Sequence, residues 1–546
     1  MDPFLPHSQD LLQSLEQLNQ IGIALSKEHD TPKLLEAIVV AAKTLLNADG
    51  GTLYRLEEGG RYLQFEVLRN DSLKLRMGGT TGIAIPFQPI ALYDQNGQPN
   101  TSMVVTYAVL NDTTVVIDDA YTEQNFDFSG TQRFDHQTGY RSRSFLTVPM
   151  KNHENEIIGV FQLINAIDPH TGQVRTFSPA DRRLAESLAS QAAIALTNHQ
   201  LLEQLQRLFE SLIELINTAV DHKSPYTSGH CQRVPILTMM IAEAAHRSKQ
   251  GRLKEFQPTP EELYELKIAG LLHDCGKIST PAHIVDKATK LETIFDRLHL
   301  VDTRFEVLKR DAEIEWLRSR LAALEQGNQN AIPTLEQRYL DRLEQLDADR
   351  RHVHHCNIGV ESMRPEDQER IRQIGVYRWI GPDGQEQPFL SEDEIHNLCI
   401  PQGTLNPTER AIIEEHVALT MRMLETLPWP KHLQRVPEYA GCHHERLDGS
   451  GYHRGLHAQQ LSMQARIICL ADIFEALTAR DRPYKHGKHL SEVLIILGRM
   501  VQDHQIDPDL FDVFVREGVW LEYARQYLEP EQIDEVDFNR IPGYHP

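Results

Sequence analysis

The chain has 546 residues, too many for one hydrophobic core, so we expect roughly two to four domains. Its formal net charge of -23 at pH 7 excludes a general affinity for nucleic-acid polymers or anionic membranes, since both require a basic surface. A nucleotide substrate stays open, provided that a local cationic group or a metal ion receives its phosphate.

Neither the N-terminus nor the cysteines indicate export. The opening MDPFLPHSQDLLQSLEQ lacks a basic stretch followed by an apolar core, and no apolar run is long enough to span a bilayer. The dispersed cysteines form no C-x-x-C pair, which favours reduced thiols over disulfides or structural zinc. They are Cys231, Cys275, Cys356, Cys399, Cys442 and Cys469. We therefore expect a cytoplasmic protein without a membrane segment.

Residues 1–30 are predicted to be a helical segment, and residues 31–200 combine helical and antiparallel strand patterns. TPKLLEAIVVAAKTLLNADGG has apolar residues at helical spacing, and we expect Gly50 and Gly51 to end this helix. GTLYRLEEGGRYLQFEVL alternates on both sides of residues 58–60, which indicates a hairpin. A second hairpin joins SRSFLTVPM to EIIGVFQLINA. This order predicts an α+β domain with a central antiparallel sheet and flanking helices.

The run FDHQTGYRSRSFLTVPM, followed by IIGVFQLINA and FSPADRRLAESLASQAAIAL, resembles the GAF sensory domain over residues 31–200. The resemblance implies an unidentified small ligand. GAF domains that bind cyclic nucleotides carry Asn-Lys, Phe and Asp-Glu in this region. This chain has Asn165-Ala166, Phe177 and Asp181-Arg182. Two of the five positions differ, which argues against cyclic-nucleotide binding.

Residues 201–220 continue the closing helix with a heptad pattern. Its apolar positions are Leu202, Leu205, Phe209, Leu212, Ile216 and Ala219. An ordinary helix that faces a core shows the same pattern. The position between two domains favours a coiled-coil-like parallel connector that joins a homodimer and carries a signal from sensor to output.

Residues 291–402 form a polar, strongly charged segment. KRDAEIEWLRSRLAALEQ and LEQRYLDRLEQLDADR predict two helices separated by GNQNAIP. The motif HVHHC contains His352, His354, His355 and Cys356. No acid or glycine turn is arranged around it, so we interpret it as surface rather than as a metal site.

Ligand-type residues recur in apolar helices outside that segment. ELYELKIAGLLHDCGKIS predicts a helix whose last turn presents His273 and Asp274 and which Gly276 ends. His416 lies in another helix, and Asp472 lies within the nearly apolar ARIICLADIFEALTA. PEYAGCHHERLDG supplies two adjacent histidines. A buried aspartate needs a partner or a metal.

Each of these residues alone has an ordinary structural explanation, but together they predict a metal centre. Imidazole and carboxylate ligands without thiolate suit iron, manganese or zinc better than magnesium or calcium. Two such cations about 3.5 to 4 Å apart would clamp a phosphate and generate a hydroxide that attacks it.

HDCGK, together with HHERLDGSGY, LAD and DRPYK, resembles the HD-GYP family, bacterial phosphodiesterases of the HD hydrolase superfamily that degrade cyclic di-GMP. The resemblance covers roughly residues 210–520 apart from the insertion at 291–402. It implies an all-α helical bundle in residues 221–546 that hydrolyses cyclic di-GMP to linear pGpG or GMP by attack of a metal-bridging hydroxide. It further implies regulation of this hydrolysis by the GAF domain.

The resemblance also implies two divalent cations, iron or manganese, with zinc as a further option. Their implied ligands are His230, His273, Asp274, His416, His443, His444 and Asp472. Asp274 would bridge the cations, and Lys277 would contact phosphate or the attacking oxygen. The implied substrate-binding residues are Lys277, Arg482, Lys485, Gly451 and Tyr452.

Three departures from the family pattern limit these implications. Tyr226 replaces the glutamate of members with a third metal, so we expect two. His453 replaces the proline of Gly-Tyr-Pro, which frees the backbone and predicts a more mobile loop. The insertion replaces a short connection, and we expect it outside the helical core, as a lid or a surface for signalling partners. Hydrolysis of another cyclic dinucleotide or phosphate ester, or a non-catalytic adaptor role, remain alternatives.

Overall fold

The structure is a computed structural model that describes residues 5–28, 30–57, 59–223, 229–360, 362–479 and 487–544, without the side chains of residues 5–15. The chain divides into two compact units, Met1–Phe209 and Glu210–Pro546. The finer domain boundaries at residues 30, 200 and 220 stay predictions. None of the described helices is long and apolar enough to cross a membrane.

The first unit is built on one antiparallel sheet with helices beside it. Its elements are α1 (Leu5–Lys27), α2 (Thr31–Leu46), β1 (Ala48–Leu56), β2 (Tyr62–Asn70), β3 (Leu75–Gly78), β4 (Ile90–Ala91), α3 (Val104–Leu110), β5 (Val115–Ile117), α4 (Ser129–Thr138), β6 (Phe145–Lys151), β7 (Ile157–Ile167), β8 (Val174–Arg175) and the first part of α5 (Pro179–Lys223), whose residues from Glu210 onward belong to the second unit. The strand order is β3-β2-β1-β7-β6-β5, while β4 pairs with β2 and β8 with β7. This arrangement confirms the predicted α+β fold and both hairpins, although residue 58 in the first turn lies outside the described residues.

The predicted role of Gly50 and Gly51 as the end of the first long helix is wrong. The helix α2 ends before Asn47, which adopts the left-handed conformation with φ 46°. Both glycines lie in β1, where a Cβ on Gly51 would stand 3.0 Å from Val39 Cγ1 and 3.1 Å from Lys43 Cγ. Gly51 therefore lets α2 pack closely on the sheet.

The three GAF-motif positions that match cyclic-nucleotide-binding domains make structural contacts here. Asn165 is buried and joins β7 to residues 140–144 through side-chain hydrogen bonds. Phe177 lies in the core, and the Asp181 carboxylate accepts hydrogen bonds from Arg175 at 2.5 and 3.2 Å. These structural contacts explain the presence of all three residues, and no bound ligand is needed to explain them.

The second unit is predominantly helical. Its elements are α6 (His230–Arg247), α7 (Pro260–Leu272), α8 (Ala282–Val285), α9 (Leu298–Glu325), α10 (Ile332–Asn357), α11 (Pro365–Gly375), β9 (Arg378–Ile380), β10 (Glu386–Pro388), α12 (Glu392–Leu398), α13 (Pro407–Glu425), α14 (Val436–Gly441), α15 (Met463–Thr478), α16 (Leu490–Gln502), α17 (Pro508–Arg516) and α18 (Val519–Tyr527). The hairpin of β9 and β10 lies within the insertion, and outside the insertion the predicted helical bundle is confirmed. Helices α6, α7, α13, α14 and α15 contact one another and carry or adjoin the ligand-type residues.

The insertion has a hydrophobic core of its own, as expected for a segment outside the helical bundle. Phe305 on α9, Val353 on α10 and Phe389 belong to this core. At its base the fully buried Lys290 donates hydrogen bonds from Nζ to the carbonyls of Leu398 (3.1 Å) and Ile400 (2.7 Å). Its two ends are thereby held together.

The HVHHC motif ends α10 and is only partly surface. His354 and His355 are exposed, whereas Cys356 is buried in the core of the insertion, contrary to the prediction. His354 Nε2 lies 2.7 Å from Asp302 Oδ1. Within the described ranges, none of the side-chain groups able to hold a metal includes a residue of this motif.

Candidate metal centre

Short sequence signals fix the helices that position the centre. Thr259 and Asn406 begin α7 and α13 with capping boxes, each completed by a glutamate three residues later. Ser462 accepts the N–H of Ala465 at the start of α15. Each cap satisfies backbone N–H groups at a helix start, so the beginning of each helix is specified locally.

The structure brings together all seven predicted metal ligands. His230 begins α6, His416 lies on α13 and Asp472 lies on α15. His273 caps the end of α7, and Asp274 follows it rather than standing in its last turn as predicted. His443 and His444 follow the end of α14.

Asp274 occupies the middle of this cluster. Its Oδ2 lies 3.3 Å from His230 Nε2 and 3.2 Å from His273 Nε2. Its Oδ1 lies 3.2 Å from His416 Nε2 and 3.9 Å from His443 Nε2. The two oxygens of one carboxylate therefore face two different pairs of imidazoles.

The remaining ligand-type atoms divide into two groups on either side of this carboxylate. The ligand atoms of each group lie within 4.8 Å of one another; the groups are His230, His273 and Asp472, and His416, His443 and His444. Asp472 Oδ1 lies 3.2 Å from His230 Nε2. Two neighbouring cation sites that share Asp274 fit this arrangement.

Three buried atoms of the centre have no hydrogen-bond partner among the residues that the structure describes: Asp274 Oδ1, His416 Nε2 and His443 Nε2. The Nδ1 atoms of both histidines donate to the carbonyls of Ile413 and Ala440, each at 2.5 Å. This tautomer leaves the Nε2 lone pairs directed at the centre. Because an unsatisfied buried polar atom is costly, these three atoms fit a bound cation.

Electrostatics favour the protonation states that metal ligands need at His443, His444 and Asp274. Burial holds the pKa of His443 well below its ordinary value and lowers the pKa of His444 to about 4, so both imidazoles are neutral at pH 7. Burial raises the pKa of Asp274, but the charges of Lys277 and His273 outweigh it and hold that pKa well below the usual range. At His230 burial lowers the pKa, but the charge of Glu475 and the hydrogen bonds with Asp274 and Asp472 outweigh it and hold that pKa well above its ordinary value.

Sequence analysis missed Glu475, which orients one of the ligands. Its Oε2 lies 2.5 Å from His230 Nδ1, and its Oε1 accepts a hydrogen bond from Arg233 Nε at 2.7 Å. Glu475 is fully buried. It stands one turn after Asp472 on the same apolar helix, so the criterion that singled out Asp472 would also have found it.

Glu445 was also missed, and it holds the loop that follows the paired histidines. This buried carboxylate accepts the backbone N–H groups of Arg454 and Leu456, both at 2.8 Å. His453 is exposed and belongs to none of the candidate metal groups in the described chain. The interpretation of His453 as a loop residue rather than a ligand fits this position.

The predicted loop residues have two different environments. A Cβ on Gly451 would lie 2.4 Å from the backbone nitrogen of Arg446, so glycine allows the loop to fold back on the chain. Tyr452 lies beside His444, with ring centroids 4.8 Å apart.

A cavity of about 610 Å³ opens beside the centre, and its lining includes Lys277, His444 and Tyr452. Lys277 Nζ lies 2.6 Å from Asp274 Oδ2. Of the predicted substrate-binding residues, Lys277 and Tyr452 therefore reach the cavity. Arg482 and Lys485 lie outside the described residues, as does Tyr226.

Comparison with known families agrees with the division of the chain into two units. Residues 30–196 match the GAF domain, and residues 227–349 and 392–510 match HD domains. The two HD matches flank residues 350–391, which lie within the insertion. The chain therefore contains a GAF domain followed by an HD region.

Curated relatives match shorter segments. The chain is 42% identical over 114 residues to the 3'3'-cGAMP-specific phosphodiesterase 1 of Vibrio cholerae, covering 21% of this chain and 26% of that protein. It is 40% identical over 95 residues to a cyclic di-GMP phosphodiesterase of Thermotoga maritima, covering 17% and 25%. It is 35% identical over 130 residues to a cyclic di-GMP phosphodiesterase of Pseudomonas aeruginosa, covering 22% and 30%.

These alignments span less than a third of each relative's length. They nevertheless agree with the motifs and with the geometry of the centre. The resemblance found in the sequence is confirmed: the chain combines a GAF domain with an HD region of the type found in HD-GYP phosphodiesterases.

Proposed function

We propose that this chain is a metal-dependent phosphodiesterase that hydrolyses cyclic di-GMP to linear pGpG or GMP, and that its GAF domain regulates the hydrolysis through a small ligand. The observation that carries the proposal is the position of Asp274, whose two oxygens face two groups of ligand-type side chains. A carboxylate shared between two cation sites is the arrangement used to hold two metals for phosphate chemistry.

The residues of the centre have separable roles in this proposal. His230, His273 and Asp472 would hold one divalent cation, the other three histidines would hold a second, and Asp274 would bind both. When bound, these cations supply Lewis acidity that polarises a phosphodiester and activates water. We propose iron or manganese, with zinc as the alternative, because the ligands combine imidazole and carboxylate.

Lys277 and the hydrogen bonds behind the ligands complete the site. The Lys277 ammonium lies at the cavity and can contact an anionic phosphodiester there. The Nδ1 hydrogen bonds of His416 and His443 fix the orientation of the two imidazoles. Together these contacts hold the reacting groups in place before substrate arrives.

Metal analysis and hydrolysis assays on the same protein test this function. Anaerobically purified full-length chain is expected to contain two divalent cations and to cleave cyclic di-GMP. Asp274→Ala removes the shared ligand, so we expect it to abolish both metal content and turnover. Asp311→Ala, an exposed substitution on α9, should leave both at the wild-type level. If Asp274→Ala still bound two metals and kept full activity, the proposal would be wrong.

Another cyclic dinucleotide is the second candidate substrate, because one relative is a 3'3'-cGAMP-specific phosphodiesterase. Assays with cyclic di-GMP, 3'3'-cGAMP and a simple phosphate ester separate these activities. Metal loading without turnover of any of them would favour the adaptor role, with signalling proteins as partners.

We also propose that the protein is a cytoplasmic homodimer joined through α5. The six cysteines are all free, which supports a reducing compartment. Four residues of the predicted seam are exposed, namely Leu202, Leu205, Leu212 and Ala219, whereas Phe209 and Ile216 are partly buried. The exposed stripe of large apolar residues on α5 consists of Ile194, Leu201, Leu202, Leu205, Leu208, Leu212 and Leu215.

A further inference from the structure

The cavity beside the metal centre extends to the base of the insertion. Besides residues of the centre, it is lined by residues 284–288, 358–360 and 402–405. Isolated antiparallel bridges join Thr289 to Ile358 and Val360 to Gly403 in this wall. Its volume of about 610 Å³ lies in the range of pockets that bind whole small molecules. The cavity therefore has room for ligand groups beyond one phosphate.

Four lysine and arginine side chains line this cavity, and three of them are paired with carboxylates. Lys277 pairs with Asp274 at 2.6 Å, Arg233 with Glu475 at 2.7 Å, and Lys287 with Glu409 at 2.8 Å. The Arg410 guanidinium is exposed and has no hydrogen-bond or ion-pair partner within the part of the chain that the structure describes. Among the described residues that line the cavity, it is thus the cation that no other protein group pairs with.

The surroundings of Arg410 keep it available. Its neighbour Glu409 is occupied by Lys287 and by the capping box of Asn406. Arg410 stands on α13 six residues before His416, a rise of about 9 Å along the helix axis. One helix therefore carries both a metal ligand and a free guanidinium to the same cavity.

We propose that Arg410 binds the second phosphate of a cyclic dinucleotide, the one that is not being cleaved; this assignment rests on the proposed function. A cyclic dinucleotide carries two phosphodiesters in one ring, so a second anionic group accompanies the scissile one. Guanidinium is suited to it because its planar donors bind phosphate in pairs. In a chain with net charge -23, an unpaired cation is needed to offset repulsion of that second charge.

The test compares a cyclic dinucleotide with a ligand that has only one phosphate. The full-length chain and Arg410→Ala are assayed with cyclic di-GMP and with bis(p-nitrophenyl) phosphate. We expect the ratio of kcat/KM for cyclic di-GMP to kcat/KM for bis(p-nitrophenyl) phosphate to be about 10- to 100-fold lower in Arg410→Ala than in the wild-type chain. This is the effect of losing one charge-assisted hydrogen bond. Binding of cyclic di-GMP to chelator-treated protein should weaken in the same direction.

Arg422→Ala is the matched control, because Arg422 is an exposed arginine on α13 that does not line the cavity. Wild-type values are expected for this control. The assignment is overturned if Arg410→Ala and Arg422→Ala give the same kcat/KM ratio and the same affinity. If wild-type protein cleaves no cyclic dinucleotide but Arg410→Ala still weakens binding, the proposed hydrolysis fails, whereas the binding of a cyclic-dinucleotide phosphate by Arg410 stands.

Discussion

At the scale of single residues, the candidate metal centre depends on side chains that do not themselves face the proposed cation sites. Glu475 accepts from His230 Nδ1 and is itself held by Arg233, so three charged or ionisable groups act as one unit. Such contacts determine the orientation and basicity of a ligating imidazole. Glu475 is therefore expected to be a positioning residue of the centre.

Removing Glu475 should weaken metal binding more than it weakens the fold. We expect Glu475→Ala to lower metal affinity about 10- to 100-fold, measured by competition with a coloured chelator. Glu475→Gln, which keeps an acceptor for Nδ1, should recover part of the loss. Glu415→Ala, at an exposed position on α13, serves as the control. Equal affinity in all variants would contradict this role.

The sequence identified the ligands better than it identified the residues around them. His273, His416 and Asp472 stand out because each has apolar neighbours within or at the end of a helix, and a buried polar group there needs a partner. Arg410 and Glu445 lie in polar stretches, where charged residues are ordinary. Their importance arises from the cavity and from the returning loop, which join residues distant in the chain.

At the scale of elements, the long helix α5 shows what periodicity can and cannot predict. The heptad spacing was evident in the sequence, but two apolar seams fit it. Both contain Leu205 and Leu212; one also contains Phe209 and Ile216, and the other Leu208 and Leu215. Packing distinguishes them, since Phe209 and Ile216 of one seam are partly buried whereas Leu208 and Leu215 of the other are exposed. A repeat of three and four residues predicts an apolar stripe, while its direction depends on contacts made elsewhere.

The exposed stripe predicts a dimer that charged substitutions would separate. Leu205→Glu combined with Leu212→Glu should convert dimer to monomer, measured by analytical ultracentrifugation, because two carboxylates would be buried against their copies. Leu317→Glu with Leu321→Glu, at exposed positions on α9, is the matched control. A monomeric wild-type protein would show the dimer proposal to be wrong.

At the scale of the whole molecule, each unit has a hydrophobic cluster of its own, and the candidate metal groups found among the described residues lie in the second unit. The hairpins and the helix order of the first unit were predictable, because strand alternation and turn residues are local signals. The arrangement of the helices in the second unit was less predictable from the sequence. Its ligands come from segments far apart in the chain, and the insertion lies between them.

Metal removal should therefore affect the two units differently. Calorimetry of the full chain is expected to show two unfolding transitions, of which only that of the second unit shifts to lower temperature with a chelator. Cations that bind only the folded centre stabilise that unit by mass action. Asp274→Ala should lose this chelator effect. A chelator that shifts both transitions equally would contradict the assignment of metal to the second unit alone.

The contact of Lys290 with the carbonyls of Leu398 and Ile400 has a topological consequence. The insertion leaves the helical bundle and returns to it at nearly one point, so for the bundle it is equivalent to a tight turn. Its outer helices can then change in length or sequence while the stretches that line the cavity keep their positions. The insertion can therefore become longer during evolution without a change in the wall of the cavity.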